Sequence, residues 1–397
     1  MRECAQKSSG HVLPWIVFTS FIFLMTYQAR AIFGPLLPYI EAEFGIGHEA
    51  ATRLQLFISL GYSVSMFATV YTATLIRYRY LAGFSCALGG VVLVAVGLCP
   101  DLGGMAVLCV LLGVVTGQYF TAGMGTLRSL VTFEQWSKAV SVHEFGPNFC
   151  FFLCPIAAVW GASFFGWRGV LVALGVIACI AGAGFVLAGK GGDNTSPPFF
   201  FKGLKRVLRN PLLWLFVWLM GLCIGGQFGP YSVMMLHLTE DAALSETTAS
   251  WLLSASRVLA PAAVLAGGFA TIRFGSMPAL TFCFTAHSLS LFGLAADPFP
   301  LKAAGLFLQP MLAAMSIPPL FTFLAERFPA RKQAMVLALG MPVASFVGTG
   351  GIPYLLGICG THLSFSAGFT CMGVLIGLSA LLLAALGRAM RRVPGYR

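Results

Sequence analysis

Twelve long apolar segments constrain this chain more than any other feature of its sequence. A helix that crosses the hydrocarbon core of a bilayer needs about 20 mostly apolar residues. The segments of suitable length are Pro14–Ile40, Ala50–Leu75, Leu81–Leu98, Gly104–Leu127, Ala139–Ser163, Gly169–Gly189, Leu212–His237, Ala249–Thr271, Pro278–Ala296, Lys302–Ala325, Gln333–Leu356 and Leu363–Leu386. Open strands would leave backbone groups unpaired in lipid, and the alternating pattern of a barrel is missing. We therefore predict an all-α membrane protein with twelve transmembrane helices.

The composition excludes a water-soluble globular domain. Hydrophobic residues make up 58% of the 397 residues and charged residues only 9%, whereas a soluble domain carries about 25% charged residues. The net charge of +11 would indicate nucleic acid in a soluble protein, but here the charges are spread over short connections. We therefore predict contacts with membrane lipids and none with nucleic acid.

The charges of the connections differ between the two sides of the membrane. If Met1 is cytoplasmic, the even-numbered connections and the tail hold most of the 24 Lys and Arg residues, among them Arg77 and Arg273. The opposite connections are mainly acidic, with residues such as Glu41 and Asp297. Basic residues concentrate on the cytoplasmic side of membrane proteins. The sequence thus predicts a multi-pass protein of the inner (plasma) membrane with both termini in the cytoplasm.

The chain divides near its midpoint into two similar halves. Ile32-Phe33-Gly34-Pro35 in the first predicted helix matches Gln227-Phe228-Gly229-Pro230 in the seventh, about 195 positions later. A fixed offset of this kind indicates duplicated halves, a known transporter architecture. We predict an N-terminal six-helix bundle at 1–189, a cytoplasmic linker with a short basic amphipathic helix at 190–211, and a C-terminal six-helix bundle at 212–397.

Several short motifs resemble those of the major facilitator superfamily, over essentially the whole chain. They are Gly146-Pro147-Asn148, Phe165-Gly166-Trp167-Arg168, Arg209-Asn210-Pro211 and Glu326-Arg327-Phe328-Pro329. The resemblance implies two pseudo-symmetric six-helix bundles around a central cavity. It also implies secondary active transport of a small molecule by alternating access, carried out by a monomer.

The loop signature of that family, G-x-L-A-D-R-x-G-R, is degenerate in both halves. The first copy spans 72–79 and the second spans 268–275. The resemblance assigns Arg77 and Arg273 to these gating loops. Ile76 and Ile272 replace the Asp that anchors a cytoplasmic charge network in the family, so neither copy has the acidic residue on which the usual latch depends.

Ionisable side chains within the predicted spans are the best candidates for the transport site, because they are costly in lipid unless paired or solvated. Arg257 lies near the middle of the eighth predicted helix and Arg30 lies past the middle of the first. Arginine offers a planar fork of donors that suits carboxylates and similar anions. We predict that Arg257, with Arg30 as a second arm, binds a small organic anion. Further predicted substrate-binding residues are Gln28, Tyr119, Asn148, Gln227 and Tyr231.

A coupling proton or a counter-anion is expected for a secondary carrier. Glu144, with His143 before it, is the candidate proton site, because burial raises the pKa of a carboxylate. Glycine and proline also interrupt the predicted helices, for example at Gly348, Gly350 and Pro353 in the eleventh. Such breaks permit close packing or bending.

The sequence leaves two other functions open. One is a proton-coupled exporter of hydrophobic drugs or metabolites, although buried acids that would pair with cationic drugs are scarce. The other is a membrane sensor or scaffold that transports nothing. We expect no enzyme activity, cofactor or metal, because the sequence has no nucleotide-binding loop and no H-E-x-x-H pattern. The eleven cysteines include no C-x-x-C pair.

Overall fold

The computed structural model describes residues 12–132, 134–197 and 204–391. Within these ranges the chain forms α-helices and two π-helical segments, with no strand. The α-helices are α1 (Leu13–Ala31), α2 (Phe33–Phe44), α3 (His48–Leu75), α4 (Tyr78–Leu98), α5 (Leu102–Thr116), α6 (Tyr119–Leu130), α7 (Trp136–Ala188), α8 (Leu204–Leu208), α9 (Pro211–Leu236), α10 (Glu246–Arg257), α11 (Ala260–Phe274), α12 (Ser276–Ala295), α13 (Phe299–Met315), α14 (Ile317–Arg327), α15 (Ala330–Phe346), α16 (Ile352–His362) and α17 (Phe365–Arg391). The π-helical segments are His237–Asp241 and Val347–Gly351. The prediction of an all-α fold is confirmed.

Eleven helical segments of the described ranges are long and apolar enough to cross a membrane. One of them, Lys138–Ala188, has 51 residues, which at about 1.5 Å per residue is more than twice the thickness of the hydrocarbon core. Its backbone leaves the helical conformation at Gly166, where φ is 66° and ψ is 163°. This segment therefore holds two spans. The count then agrees with the twelve predicted helices, since Ala139–Ser163 and Gly169–Gly189 flank Gly166.

Arg168 fastens the turn at Gly166 to the end of α4. A positive φ favours glycine, because a Cβ is strained in that conformation. Nη1 of Arg168 donates to the carbonyl oxygens of Gly97 at 3.2 Å and Cys99 at 2.5 Å, at the helix end where carbonyls lack helical partners. The Arg168 guanidinium carbon also lies 4.6 Å from the ring centroid of Trp167. The aromatic-Gly-Trp-Arg motif thus ties the turn between the fifth and sixth spans to the third span.

The chain divides by its contacts into two compact units. The first unit contains Met1–Phe33 and Phe57–Phe200, and the second contains Gly34–Leu56 and Phe201–Arg397. The end of the first span and the start of the second therefore pack with the second unit. The predicted division at 189 and 212 stays a prediction.

Close backbone contacts account for this assignment of residues 34–56. A Cβ on Gly34 would lie 2.9 Å from Cα of Ser232, so α2 packs directly on α9. A Cβ on Gly357 would lie 1.9 Å from Oγ1 of Thr52, so α16 packs directly on α3. Small residues permit this approach of helices in a membrane, where packing rather than water exclusion drives association.

Glycines also bring helices together inside the first unit. A Cβ on Gly113 of α5 would lie 2.0 Å from the carbonyl oxygen of Ile58 on α3. In the reverse direction, a Cβ on Gly61 would lie 2.0 Å from the carbonyl oxygen of Val110. Both distances are far below a normal van der Waals contact. The two backbones therefore touch, and neither position has room for a side chain.

Arg79 binds the start of the predicted linker, just after the end of α7. Arg79 donates from Nη1 to the carbonyl oxygen of Gly189 at 2.8 Å and pairs through Nη2 with Asp193 at 3.2 Å. The backbone N–H of Arg79 also donates to the carbonyl oxygen of Gly192 at 3.0 Å. The first loop signature, which lacks its usual Asp, thus has a carboxylate partner from the segment after α7.

The predicted basic helix of the linker falls partly outside the described residues, which exclude 198–203. Its described part is α8, where Lys205 and Arg206 are exposed and Val207 is buried. The predicted cytoplasmic termini at 1–11 and 392–397 also lie outside the described residues.

Candidate functional site

Arg257 ends α10 inside the eighth span, and only 4% of its surface is exposed. Its Nη1 donates to the carbonyl oxygen of Gln227 at 3.4 Å, the long end of the hydrogen-bond range. Its guanidinium carbon lies 5.1 Å from the ring centroid of Tyr231, within cation–π distance. The structure therefore brings three of the predicted substrate-binding residues together in the second unit.

A proline frees the neighbouring carbonyl of α9. In an α-helix the N–H of residue 230 would bond to the carbonyl oxygen of residue 226, but Pro230 has no N–H. Nε2 of Gln309, from α13, donates to the Gly226 oxygen instead. The second hydrogen of this amide points to Nε2 of His287, 3.0 Å away. Two successive carbonyls of α9, at Gly226 and Gln227, are thus held by side chains of other helices.

This arrangement predicts that Pro230 and Gln309 are energetically coupled. We expect Gln309→Leu to lower the free energy of unfolding by about 1–3 kcal/mol, because it leaves the buried Gly226 carbonyl without a donor. In a Pro230→Ala background the new N–H of residue 230 would satisfy that carbonyl, so the loss should shrink by more than about 1 kcal/mol. Equilibrium unfolding of the four proteins in mixed micelles measures the difference.

The loss of the His287 contact is common to both backgrounds and cancels in this cycle. If Gln309→Leu costs the same with Pro230 and with Ala at that position, the amide does not replace the missing helical bond, and its role is limited to His287.

Arg30 lies near the end of α1 and is also buried, with 9% exposure. Its guanidinium carbon lies 3.9 Å from the ring centroid of Tyr62 and 5.1 Å from that of Tyr27. Its Nε atom is buried and has no hydrogen-bond partner within the described ranges. The two tyrosine faces hold the guanidinium in place, and they leave this donor available to a ligand.

His143 and Tyr119 form a buried hydrogen-bonded pair in the first unit. The Tyr119 hydroxyl donates to the carbonyl oxygen of Thr19 at 2.7 Å and lies 3.1 Å from Nε2 of His143. Since the only hydroxyl hydrogen goes to Thr19, Nε2 must be the donor in the second contact. Nδ1 of the neutral ring is then unprotonated. This atom is buried and has no hydrogen-bond partner in the described part of the chain.

Glu144 places a carboxylate near that atom. Its Oε1 lies 3.8 Å from Nδ1 of His143, and 43% of its side chain is exposed while His143 is fully buried. A proton taken up on Nδ1 would face this carboxylate. The structure therefore places the two residues predicted for proton coupling side by side, with His143 as the buried member.

Within the described residues, the side chains of Gln28 and Asn148 make local bonds. Nε2 of Gln28 points to the sulfur of Met25 at 3.6 Å, and Nδ2 of Asn148 donates to the carbonyl oxygen of Glu144 at 2.8 Å. Each bond stays within one or two turns of a single helix. The substrate-binding roles of Gln28 and Asn148 remain predictions.

The two predicted gating arginines lie at helix ends and are exposed. Arg77 precedes α4, and Arg273 lies in the last turn of α11, with its guanidinium carbon 5.4 Å from the Phe274 ring centroid. In the first copy of the signature, the ion pair is made by Arg79 rather than Arg77.

Sequence reasoning missed Tyr62, the closest partner of Arg30. Tyr62 lies on α3, and no local spacing links it to a residue 32 positions earlier. Sequence reasoning also did not single out His287 and Gln309, because polar residues within spans more often join helices than bind ligands. The second unit also has a surface cavity of about 570 Å³ beside Gly275, Glu326 and Arg388, and none of the predicted binding residues lines it.

Comparisons with known proteins identify the family. The family described as Major Facilitator Superfamily matches residues 19–236, more than half of the chain. No curated protein matches the chain.

Solved structures share the fold at low sequence identity. A bacterial homolog of the human lysosomal transporter Spinster, in an inward-facing and unoccupied conformation, has a TM-score of 0.79 at 11% identity and covers 96% of this chain and 98% of its own. The nucleoside transporter NupG has a TM-score of 0.78 at 12% identity, over 94% and 99% of the two chains. A D-xylose–proton symporter has a TM-score of 0.71 at 15% identity, over 95% and 97%. With twelve spans, this fold and the family match, the chain belongs to the major facilitator superfamily of membrane transporters.

Proposed function

We propose that this chain is a secondary active transporter of a small organic anion, a carboxylate or a sulfonate. Arg257 is the principal binding group, and Arg30 is a second candidate binding group. The transporter works by alternating access as a monomer in the inner membrane, with both termini in the cytoplasm.

The observation that carries this proposal is the pair of buried arginines inside membrane spans. Arg257 contacts a carbonyl oxygen and the Tyr231 ring, and Arg30 contacts the rings of Tyr27 and Tyr62. Carbonyl oxygens and aromatic faces can position a guanidinium for a ligand. A carboxylate or sulfonate can accept two parallel hydrogen bonds from the guanidinium group. Such charge-assisted hydrogen bonds are stronger than those between neutral groups.

A proton is the coupling ion in this proposal, with His143 as its carrier. The bare Nδ1 atom is the acceptor, and the Glu144 carboxylate at 3.8 Å stabilises the resulting imidazolium. Exchange against a counter-anion is the other form of coupling. If a proton is the coupling ion, uptake should depend on an imposed proton gradient, and His143→Gln should lose this dependence. If a counter-anion is exchanged instead, uptake should not depend on the gradient.

Thermal unfolding of the purified protein with a panel of ligands tests the anion site. The panel contains small carboxylates, sulfonates, sugars and cationic dyes. A ligand that binds only the folded protein stabilises it by about 2.7 kcal/mol at a hundred times its dissociation constant. We expect carboxylates or sulfonates to raise the unfolding midpoint of the wild type and to leave that of Arg257→Gln unchanged.

Arg388→Gln is the matched control, because it removes an exposed arginine of the same unit that is neither a predicted binding residue nor a predicted gating residue. It should keep the full ligand-dependent shift. Stabilisation by cationic or neutral amphiphiles alone, equal in wild type and Arg257→Gln, would contradict the anion site and favour a drug exporter. A protein stabilised by no ligand and without flux would favour the sensor or scaffold.

A further inference from the structure

Three side chains with metal-binding groups meet in the second unit. Glu41 lies near the end of α2, His48 begins α3, and Glu240 lies in the π-helical segment after α9. Nδ1 of His48 is 2.9 Å from Oε2 of Glu41, and Nε2 of His48 is 3.3 Å from Oε2 of Glu240. One ligand atom from each of the three residues can be chosen so that all lie within 4.8 Å of one another.

We propose that Glu41, His48 and Glu240 form a binding site for Zn²⁺ or a similar first-row transition metal ion. Zn²⁺ binds imidazole nitrogen and carboxylate oxygen at about 2.0–2.2 Å in a tetrahedral arrangement, which places neighbouring ligand atoms about 3.3 Å apart. One nitrogen of His48 binds the ion. Each ring nitrogen faces a different carboxylate, Nδ1 that of Glu41 at 2.9 Å and Nε2 that of Glu240 at 3.3 Å. When Nδ1 and Glu41 bind the ion, Glu240, with 49% of its side chain exposed, turns away from Nε2 to complete the set.

The burial of Glu41 and its missing hydrogen-bond donor indicate that this carboxylate binds a cation. Only 10% of its side chain is exposed, and its second oxygen, Oε1, has no hydrogen-bond partner in the ranges that the structure describes. A buried carboxylate oxygen without a donor is costly. A divalent ion bound to this carboxylate removes that cost, and it also neutralises the two negative charges that face a single imidazole.

The surroundings supply the outer contacts that metal sites use. Asp241, next to Glu240, pairs with Nδ1 of His237 at 2.8 Å. The Phe365 ring packs on both imidazoles, with centroid distances of 4.9 Å to His48 and 6.2 Å to His237. The half-exposed Glu240 marks the side from which an ion reaches the site.

Metal titration of the purified, chelator-treated protein tests this site. Zn²⁺ binding is measured by calorimetry, and Co²⁺ serves as a coloured probe whose absorption reports tetrahedral coordination. We expect a single site in the wild type and an affinity loss of about tenfold or more in His48→Gln. His362→Gln is the matched control: His362 also contacts a carboxylate, Glu49 at 3.4 Å, but 64% of its side chain is exposed.

Glu240→Gln decides the question if His48→Gln fails to fold, because its exposed side chain can change without disturbing the core. The proposal is overturned if the wild type binds neither ion, or if Zn²⁺ binds the folded His48 or Glu240 variant as tightly as the wild type. Binding through cysteines such as Cys359 or Cys371 would give the latter result. This test uses no substrate, so its outcome is separate from that of the anion-transport proposal.

Discussion

Uptake of the anionic substrate should fall by about 100-fold or more in Arg257→Gln. Removing one partner of a buried, hydrogen-bonded charge pair costs about 2–5 kcal/mol, and about 2.7 kcal/mol corresponds to a factor of 100. Glutamine keeps much of the side-chain volume and one donor group. The loss of uptake therefore measures the contribution of the positive charge and of the paired guanidinium donors. Arg257→Lys should retain part of the activity, because an ammonium group supplies the charge without the planar pair of donors. The measurement is initial uptake into proteoliposomes at subsaturating substrate.

Two controls make this result specific to the site. Arg388→Gln, at an exposed position of α17 outside the predicted binding and gating residues, should transport as well as the wild type. The thermal midpoint of each variant without ligand shows whether the protein is folded. A folded Arg257→Gln protein with wild-type uptake would exclude Arg257 as the principal anion-binding residue.

Gly113→Val should prevent the first unit from folding. The Cβ would lie 2.0 Å from the carbonyl oxygen of Ile58 and 2.6 Å from the backbone nitrogen of Tyr62. These are backbone atoms of the facing helix, so no rotamer change can relieve the contact. Overpacking costs about 1–3 kcal/mol when side chains can adjust, and here α3 and α5 would have to separate. We expect little or no monodisperse protein after detergent extraction.

Gly268→Val is the matched control, because no atom lies within 4 Å of a Cβ on Gly268. The same substitution at Gly267, one residue earlier, would place the Cβ 2.2 Å from the carbonyl oxygen of Met315 and should be damaging. Chromatographic yield and thermal midpoint compare the three variants. If Gly113→Val is as stable as Gly268→Val, the close contact of α3 with α5 is wrong.

The spans were predictable because the bilayer leaves the backbone few choices. An apolar run of about 20 residues without water must satisfy its own hydrogen bonds, and the helix does so locally. The break near Gly166 followed from a gap between two apolar runs. The glycine-rich stretch of the eleventh helix marked an interruption, and the π-helical segment Val347–Gly351 lies there. By contrast, no hydropathy pattern separates α1 from α2, because the whole of Leu13–Phe44 is apolar enough to span.

The partners of the candidate site residues were mostly beyond the reach of sequence patterns. The depth of Arg257 and Arg30 followed from counting residues along a helix. Their neighbours depend on which helices pack together and on the rotation of each helix, and local spacing records neither. Tyr62 beside Arg30 is one example. Gln309, which reaches a carbonyl 83 positions away, is another.

The freed carbonyl at Gly226 has a consequence for how this sequence can change over time. Pro230 leaves the Gly226 carbonyl without a helical donor and Gln309 supplies one, although the two residues lie on different helices. An ancestor that lost the glutamine first would carry an unsatisfied carbonyl inside the membrane, whereas one that lost the proline first would not. The permitted order of substitution is therefore proline first and glutamine second, and lineages that keep the proline should keep an amide or another donor at position 309.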